Sequence, residues 1–227
     1  MMSGPRRTRT AGHHAGTERG AKRLTFDEEI GRMRIIGGQF KGRKLLAPPP
    51  AAQTRPITGS VKKSLFGMLG PRLDAATVMD LYCGTGTLGL EALSCGAQRC
   101  CFADRDRAVL ARLRRNIDAV GATERCEVRS GDVERQLARW LAQLGWQVDV
   151  AFVDPPYADV RRWSWDRAAE RIFAPLAEAL TDEGIVVLRS GGPGDPPQRI
   201  GPLETFRLRR YGKMRLALLG LTKGGRA

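Results

Sequence analysis

Histidine is nearly absent from this chain. The only two, His13 and His14, sit side by side near the N-terminus. The five cysteines (Cys83, Cys95, Cys100, Cys101, Cys126) are odd in number and contain no Cys-x-x-Cys pair. No zinc ligand set assembles from these residues at the usual spacing, so no metal is expected. The plain reading of the thiols is reduced and mostly buried, as in a cytosolic protein. No apolar run is long enough to span a bilayer, and the N-terminus lacks the apolar stretch of a secretory signal, so no membrane partner and a cytoplasmic location are expected. Negative charge is also short: 24 Asp and Glu stand against 38 Lys and Arg, a net charge of +14 with a pI near 10.4. An enzyme of small neutral metabolites has no need of that excess. A polyanion does select for it, because each neutralised phosphate releases counterions. The charge and its layout therefore point to nucleic acid.

The 227 residues, 42% of them hydrophobic, suffice for one good-sized core with a small appendage. Residues 1–32 are rich in Gly, Thr and Arg without apolar periodicity and read as a disordered basic tail. Residues 33–70 form a second unit. Met33 to Leu45 alternates apolar and basic residues around glycines, as in a short hairpin, and a Pro-rich linker follows at Pro48–Pro50. Thr58 or Ser60 then caps a helix in which Val61, Leu65 and Met68 recur at helical spacing. Residues 71–227 change character. Short apolar strands (Thr77–Leu81, Arg99–Ala103, Cys126–Arg129, Val148–Val153, Ile185–Leu188) alternate with helices. In the best helix, Arg107–Val120, Val109, Leu110, Leu113, Ile117 and Val120 share one face. Such alternation predicts a Rossmann-like α/β fold with helices on both faces of a mostly parallel sheet. Glu204–Leu219 reads as two strands turning near Tyr211-Gly212, an antiparallel hairpin closing the sheet.

Four acidic residues fall at the ends of four successive strands, where open α/β sheets bind ligands. After the first, Gly84, Gly86 and Gly89 fit G-x-G-x-x-G, a pattern shared by many nucleotide binders. Asp80 just ahead of the glycines would repel a pyrophosphate but suits a cation. S-adenosylmethionine carries both an ammonium and a sulfonium, and a carboxylate stabilises the ammonium directly or through the loop. Asp104 ends the second strand about 20 residues past the glycines, the place of a ribose-diol acceptor; neighbouring Asp106 reads as a solvated loop residue. Asp132 follows the third strand as an acceptor for the adenine amine, as a helix N-cap, or as both. The fourth strand ends in Asp154-Pro155-Pro156-Tyr157. Two prolines remove two backbone donors and fix φ twice, leaving nearby carbonyls free to accept. An amine whose two N–H groups point at the Asp154 side chain and at a carbonyl has its lone pair directed at an incoming methyl. Tyr157 offers a flat face for a base to stack on.

The Asp154–Tyr157 tetrapeptide and the D-x-x-x-G-x-G loop resemble the class I amino-methyltransferases. Arg34-Ile35-Ile36-Gly37-Gly38-Gln39-Phe40-Lys41-Gly42-Arg43, with Thr54–Leu69 and Tyr211-Gly212, narrows the resemblance to the RsmD family, the 16S ribosomal RNA guanine-N2 methyltransferases. The similarity runs from Met33 to about Leu219. It implies a seven-stranded class I fold, S-adenosylmethionine as methyl donor and S-adenosylhomocysteine as product. It implies a guanine flipped into the pocket, from small-subunit RNA with ribosomal proteins already bound. By position, Asp80, Gly84 and Gly86, with Tyr82 and Leu88 beside them, map to the cofactor; Asp104 maps to its ribose and Asp132 to its adenine. Asp154, Pro155, Pro156 and Tyr157 map to catalysis. Cys83 stands where a small residue such as Ala is expected, and Asp104 where Glu is common. Arg34, Lys41, Arg43, Lys44, Arg55, Lys62 and Lys63 flank the predicted pocket in sequence order and are the expected RNA contacts. A monomer is expected. An adenine-N6 DNA or RNA methyltransferase uses the same Asp-Pro-Pro-Tyr chemistry, and only the N-terminal block argues against it. A non-catalytic RNA-binding assembly factor with a vestigial pocket is the reading from another class. A nicotinamide oxidoreductase lacks a hydride-transfer acid and is disfavoured by Asp80.

Overall fold

The computed structural model describes residues 1, 33–49, 57–156, 160, 163–192 and 194–222. The expectations for the 1–32 tail beyond Met1, and for Arg55 and Tyr157, lie outside the described residues. Helix α1 (Gly59–Leu69) precedes the alternating part of the chain. Thr58 holds its N-cap position but makes no side-chain capping bond; its Oγ1 lies 3.2 Å from Ser60 Oγ. Then come β1 (Thr77–Leu81), α2 (Thr87–Ser94), β2 (Arg99–Asp104), α3 (Arg107–Val120), β3 (Cys126–Ser130), α4 (Val133–Ala142) and β4 (Val148–Val153). Helix α5 (Trp165–Ala168) runs through a π-helical turn at Ala169–Phe173 into α6 (Ala174–Ala179). The chain ends with β5 (Leu180–Gly191), β6 (Arg199–Ile200), β7 (Leu203–Tyr211) and β8 (Met214–Leu221).

The strands form one sheet in the order β3-β2-β1-β4-β5-β8-β7-β6. Strands β1 to β5 are parallel, and β6 to β8 are antiparallel. The sheet thus has an eighth strand beyond the seven expected: Arg199–Ile200, two residues paired with the start of β7. So short an edge strand leaves no period-2 pattern to read. The order in which strands are added reverses between the parallel strands β1 and β4, and that crevice is where such sheets bind ligands. One face of the sheet (Val78, Phe102, Val150, Phe152, Val187, Leu216, Leu218) packs against Leu65, Phe66 and Leu69 of α1, Leu90 and Leu93 of α2, and Leu110, Leu113 and Ile117 of α3. The other (Met79, Leu81, Cys101, Ala151, Val153, Val186, Leu188) packs against Leu137 and Trp140 of α4 and against Ile172, Phe173 and Leu176. Burying both faces explains why the parallel strands read as near-continuous apolar runs.

The N-terminal segment turns as a hairpin, closed by Ile35 N to Arg43 O (3.0 Å), Leu45 N to Met33 O (2.9 Å) and a single Arg34–Lys44 bridge. It is clasped to α2. Ile36 N and Gly37 N donate to the Glu91 carboxylate, Phe40 N donates to Ser94 Oγ, and Gln39 N donates to Ser94 O. Gly38 has φ +68, and a Cβ there would lie 1.7 Å from Ser94 O, so only glycine allows this approach.

Candidate active site

Asp80, near the end of β1, is 1% exposed. Its Oδ2 accepts Gly89 N at 2.8 Å, while Oδ1 has no hydrogen-bond partner among the described residues. Burial pushes its carboxyl up to about 8, with Asp154 and Asp104 adding to the shift against the Gly89 bond. A buried carboxylate with one orphaned oxygen is costly alone and is stabilised by a cation. The following loop has positive φ at Tyr82 (59), Gly84 (55) and Gly86 (83). Gly89, one turn into α2, lets the helix sit on the sheet: a Cβ there would fall 2.3 Å from the Phe102 ring and 2.7 Å from Cys100 Sγ.

Asp104 ties this loop to β2. Gly84 N donates to its Oδ2 and Asp106 N to its Oδ1, both at 2.9 Å. Asp106 is exposed, as expected, and is also the N-cap of α3, accepting from Ala108 N and Val109 N. Asp132 caps α4 through Arg135 N at 3.1 Å. It also lines an open pocket of about 250 Å³ bounded by Tyr82, Gly131, Val133, Trp163 and Arg105. Tyr82 and Trp163 approach at 6.5 Å between ring centroids, and Trp163 in turn packs edge-on to Trp165 and Phe173. Leu88 does not line this pocket; it is 4% exposed and packs in the core.

Asp154 leaves β4 beside β1, its N–H donating to Leu81 O at 3.3 Å. Pro155 is buried and Pro156 half-buried, with Pro156 O accepting Val160 N at 3.2 Å. The Asp154 side chain is 15% exposed, and its Oδ1 accepts from Nε of Arg189, 8% exposed, on adjacent β5. Burial raises the Asp154 carboxyl above the usual range; the Arg189 charge and hydrogen bond pull it back, and Asp104 raises it. The fold thus brings Asp104 and Asp154 near enough to raise the Asp80 carboxyl, and Asp104 near enough to raise that of Asp154, while Asp132 lines the aromatic pocket.

Among the expected RNA contacts, Arg34, Lys41, Arg43, Lys44 and Lys63 are exposed. Arg43 also donates to Ala119 O at the end of α3. Lys62 is corrected: its side chain is 6% exposed, pairs with fully buried Glu91 at 2.7 Å and donates to Arg34 O at 2.8 Å. Its ammonium joins α1, α2 and the N-terminal hairpin. Two residues of the site carried no sequence signal. Arg189 lies 35 positions from Asp154, and Trp163 sits in a stretch without periodicity.

The residues present fit S-adenosylmethionine: an unsatisfied buried carboxylate for a cationic amino-acid end, a carboxylate on β2 for a diol, and an aromatic-walled pocket for a purine. Fold and constellation together define a Rossmann-like methyltransferase. A family model described as conserved hypothetical protein 95 matches residues 33–220, and the chain belongs to that family, the RsmD family its sequence resembles. It is 33% identical over 187 residues to the "Putative rRNA methyltransferase YlbH" of Bacillus subtilis (strain 168), covering 82% of this chain and 97% of that protein. It is 39% identical over 127 residues to "Ribosomal RNA small subunit methyltransferase D" of Escherichia coli (strain K12), covering 56% of this chain and 61% of that protein. The solved structure "Putative methyltransferase yhhF from Escherichia coli" superimposes with a TM-score of 0.68 at 31% identity, covering 84% of this chain and 98% of that one.

Proposed function

We propose that this chain methylates the exocyclic N2 amine of a guanine in 16S ribosomal RNA, within an assembled or partly assembled small subunit, using S-adenosylmethionine. The observation that carries the reading is the Asp154-Pro155-Pro156 turn at the end of β4, beside the unsatisfied Asp80 carboxylate of β1. When bound, S-adenosylmethionine supplies an electrophilic methyl on a sulfonium and departs as S-adenosylhomocysteine. Asp80 would stabilise the ammonium of the donor, Asp104 would take the ribose hydroxyls through its remaining lone pairs, and Asp132 with Tyr82 and Trp163 would hold the adenine.

Asp154 then has one task. A guanine amine is a poor nucleophile because its lone pair is delocalised into the ring. An ionised Asp154, with Oδ1 held by Arg189, offers Oδ2 to one N–H and localises the pair on nitrogen. A nitrogen that had accepted the methyl would carry one proton too many, and Asp154 or water would take it. Arg189 offsets part of the burial that raises the Asp154 carboxyl, and Tyr157 stacks on the base. Guanine rather than adenine rests on the N-terminal block 34–43.

The test is methyl transfer from labelled S-adenosylmethionine to naked 16S RNA and to small subunits lacking the modification, followed by nucleoside analysis. N2-methylguanosine on the particle is expected. N6-methyladenosine overturns the base assignment, and absence of incorporation with cofactor bound favours an assembly factor.

A further inference from the structure

A row of side chains crosses the sheet from the Asp154 carboxylate toward its far edge. Arg189 of β5, which holds Asp154, stands directly opposite Leu216 of β8, and Leu216 stands directly opposite Arg209 of β7. Arg207 is likewise opposite Leu218. Directly paired residues share a sheet face, and Leu216 and Leu218 belong to the core layer that includes Phe152, Val187 and α1. Arg207 and Arg209 therefore lie on the same face as Arg189. At about 4.8 Å per strand, Arg209 is roughly 10 Å from Arg189 along the row.

Both arginines are exposed, and neither has an ion pair or hydrogen bond among the described residues. Two like charges two residues apart on one strand face, with no acid opposite, contribute nothing to the sheet and repel each other. Phe206 beside them is 56% exposed, at a bulge between Thr205 and Arg207. Its ring lies over Gly220, where a Cβ would meet it at 3.6 Å. The opposite face of the same hairpin is arranged otherwise: Arg210 and Arg215 both close on Asp195. The strand thus neutralises its cations on one face and leaves them open on the face that leads to Asp154.

We propose that Phe206, Arg207 and Arg209 form a cradle for single-stranded RNA flanking the nucleotide that enters at Asp154. The inference rests on the RNA reading above and adds a second contact surface, on β7, to the N-terminal one. The arginines hold phosphates about one nucleotide's reach from the base pocket, and Phe206 stacks on a neighbouring base.

The experiment compares the wild type with the double variant Arg207→Gln/Arg209→Gln, with Phe206→Ala, and with Arg210→Gln. The last removes one charge from the same strand on the Asp195 face. The probes are in vitro transcribed 16S RNA, a short single-stranded RNA and the unmodified small-subunit particle, titrated from 50 to 300 mM salt, with cofactor affinity and melting temperature as controls. Loss of two phosphate contacts flattens the salt slope by about 1.4 for single-stranded RNA, and Phe206→Ala weakens binding about tenfold. Arg210→Gln leaves the slope unchanged. An unchanged slope in the double variant, or an equal effect from Arg210→Gln, overturns the cradle while leaving the methyltransferase reading intact. A double variant that binds RNA normally but loses the assembled particle would assign the surface to an acidic ribosomal protein and also overturn the proposal. A wild-type protein that binds neither these RNAs nor the small-subunit particle overturns both.

Discussion

Replacing Lys62 with methionine separates a structural lysine from an RNA-binding one. The ammonium sits 2.7 Å from Glu91 Oε2 and 2.8 Å from Arg34 O, and the two side chains are 6% and 0% exposed. Methionine retains the apolar stem and removes the charge. Glu91 is then left buried without its cationic partner, held among the described residues by Ile36 N at 2.9 Å and Gly37 N at 2.6 Å. Breaking one side of a buried pair costs about 3–5 kcal/mol. The two remaining N–H bonds place this case at the lower end, near ~3 kcal/mol. A domain of this size loses about 2–4 °C per kcal/mol, so the melting temperature should fall by about 6–12 °C. Scanning calorimetry at pH 7 measures this, and removing the orphaned acid as well (Lys62→Met with Glu91→Met) should recover part of the loss. The slope of RNA affinity against salt should stay at the wild-type value. A shift under about 2 °C accompanied by a flatter salt slope would refute the assignment and return Lys62 to the RNA surface.

Two other substitutions probe the carboxylates. The Asp80 carboxyl is raised from 3.8 to about 8 in the fold, so its contribution to stability is full below about 4 and is lost as pH rises toward 8. Asp80→Asn should therefore gain melting temperature over wild type as pH climbs from 5 to 8.5 without cofactor, while S-adenosylmethionine binding weakens; parallel melting curves would show that Asp80 is not strained by its burial. Arg189→Met removes the group that lowers the Asp154 carboxyl, leaving burial and Asp104 to raise it further, with Asp80 also nearby. The acidic limb of single-turnover methyl transfer should move to higher pH, with Arg189→Lys restoring much of it; an unmoved limb would reduce Arg189 to packing.

What could be read from the residues alone was local. Strands β1 and β4 and helix α3 fall on the expected residues, because Val109, Leu110, Leu113, Ile117 and Val120 keep a helical period and Gly121 ends it with φ +71. Asp80, Asp104 and the Asp154-Pro155-Pro156 turn were legible because each follows an apolar run directly, whereas Asp132 follows the mostly polar β3 and is marked only by its place after Gly131. Contacts set by register were not. Nothing in the order of residues says that Arg189 meets Asp154 across two parallel strands, or that Arg207 and Arg209 face one way and Arg210 the other. The burial of Lys62 escapes the sequence for the same reason. A lysine beside a helical apolar stripe is usually solvated, and only the docking of the N-terminal hairpin onto Glu91 buries this one. Strand β5 begins five residues before its apolar run, at Leu180, because its polar start is paired to β4 through a register shift.

The most direct test of the central claim, that the Asp154 carboxylate orients the accepting amine, is a paired measurement on Asp154→Ala: calorimetric affinity for S-adenosylmethionine beside single-turnover methyl transfer to the small-subunit particle. Cofactor affinity close to wild type with transfer reduced by at least a hundredfold is expected, since orienting and charge-localising groups contribute on the order of 10²–10³ in rate. Near-normal transfer, or a loss explained by weakened cofactor binding, would contradict it.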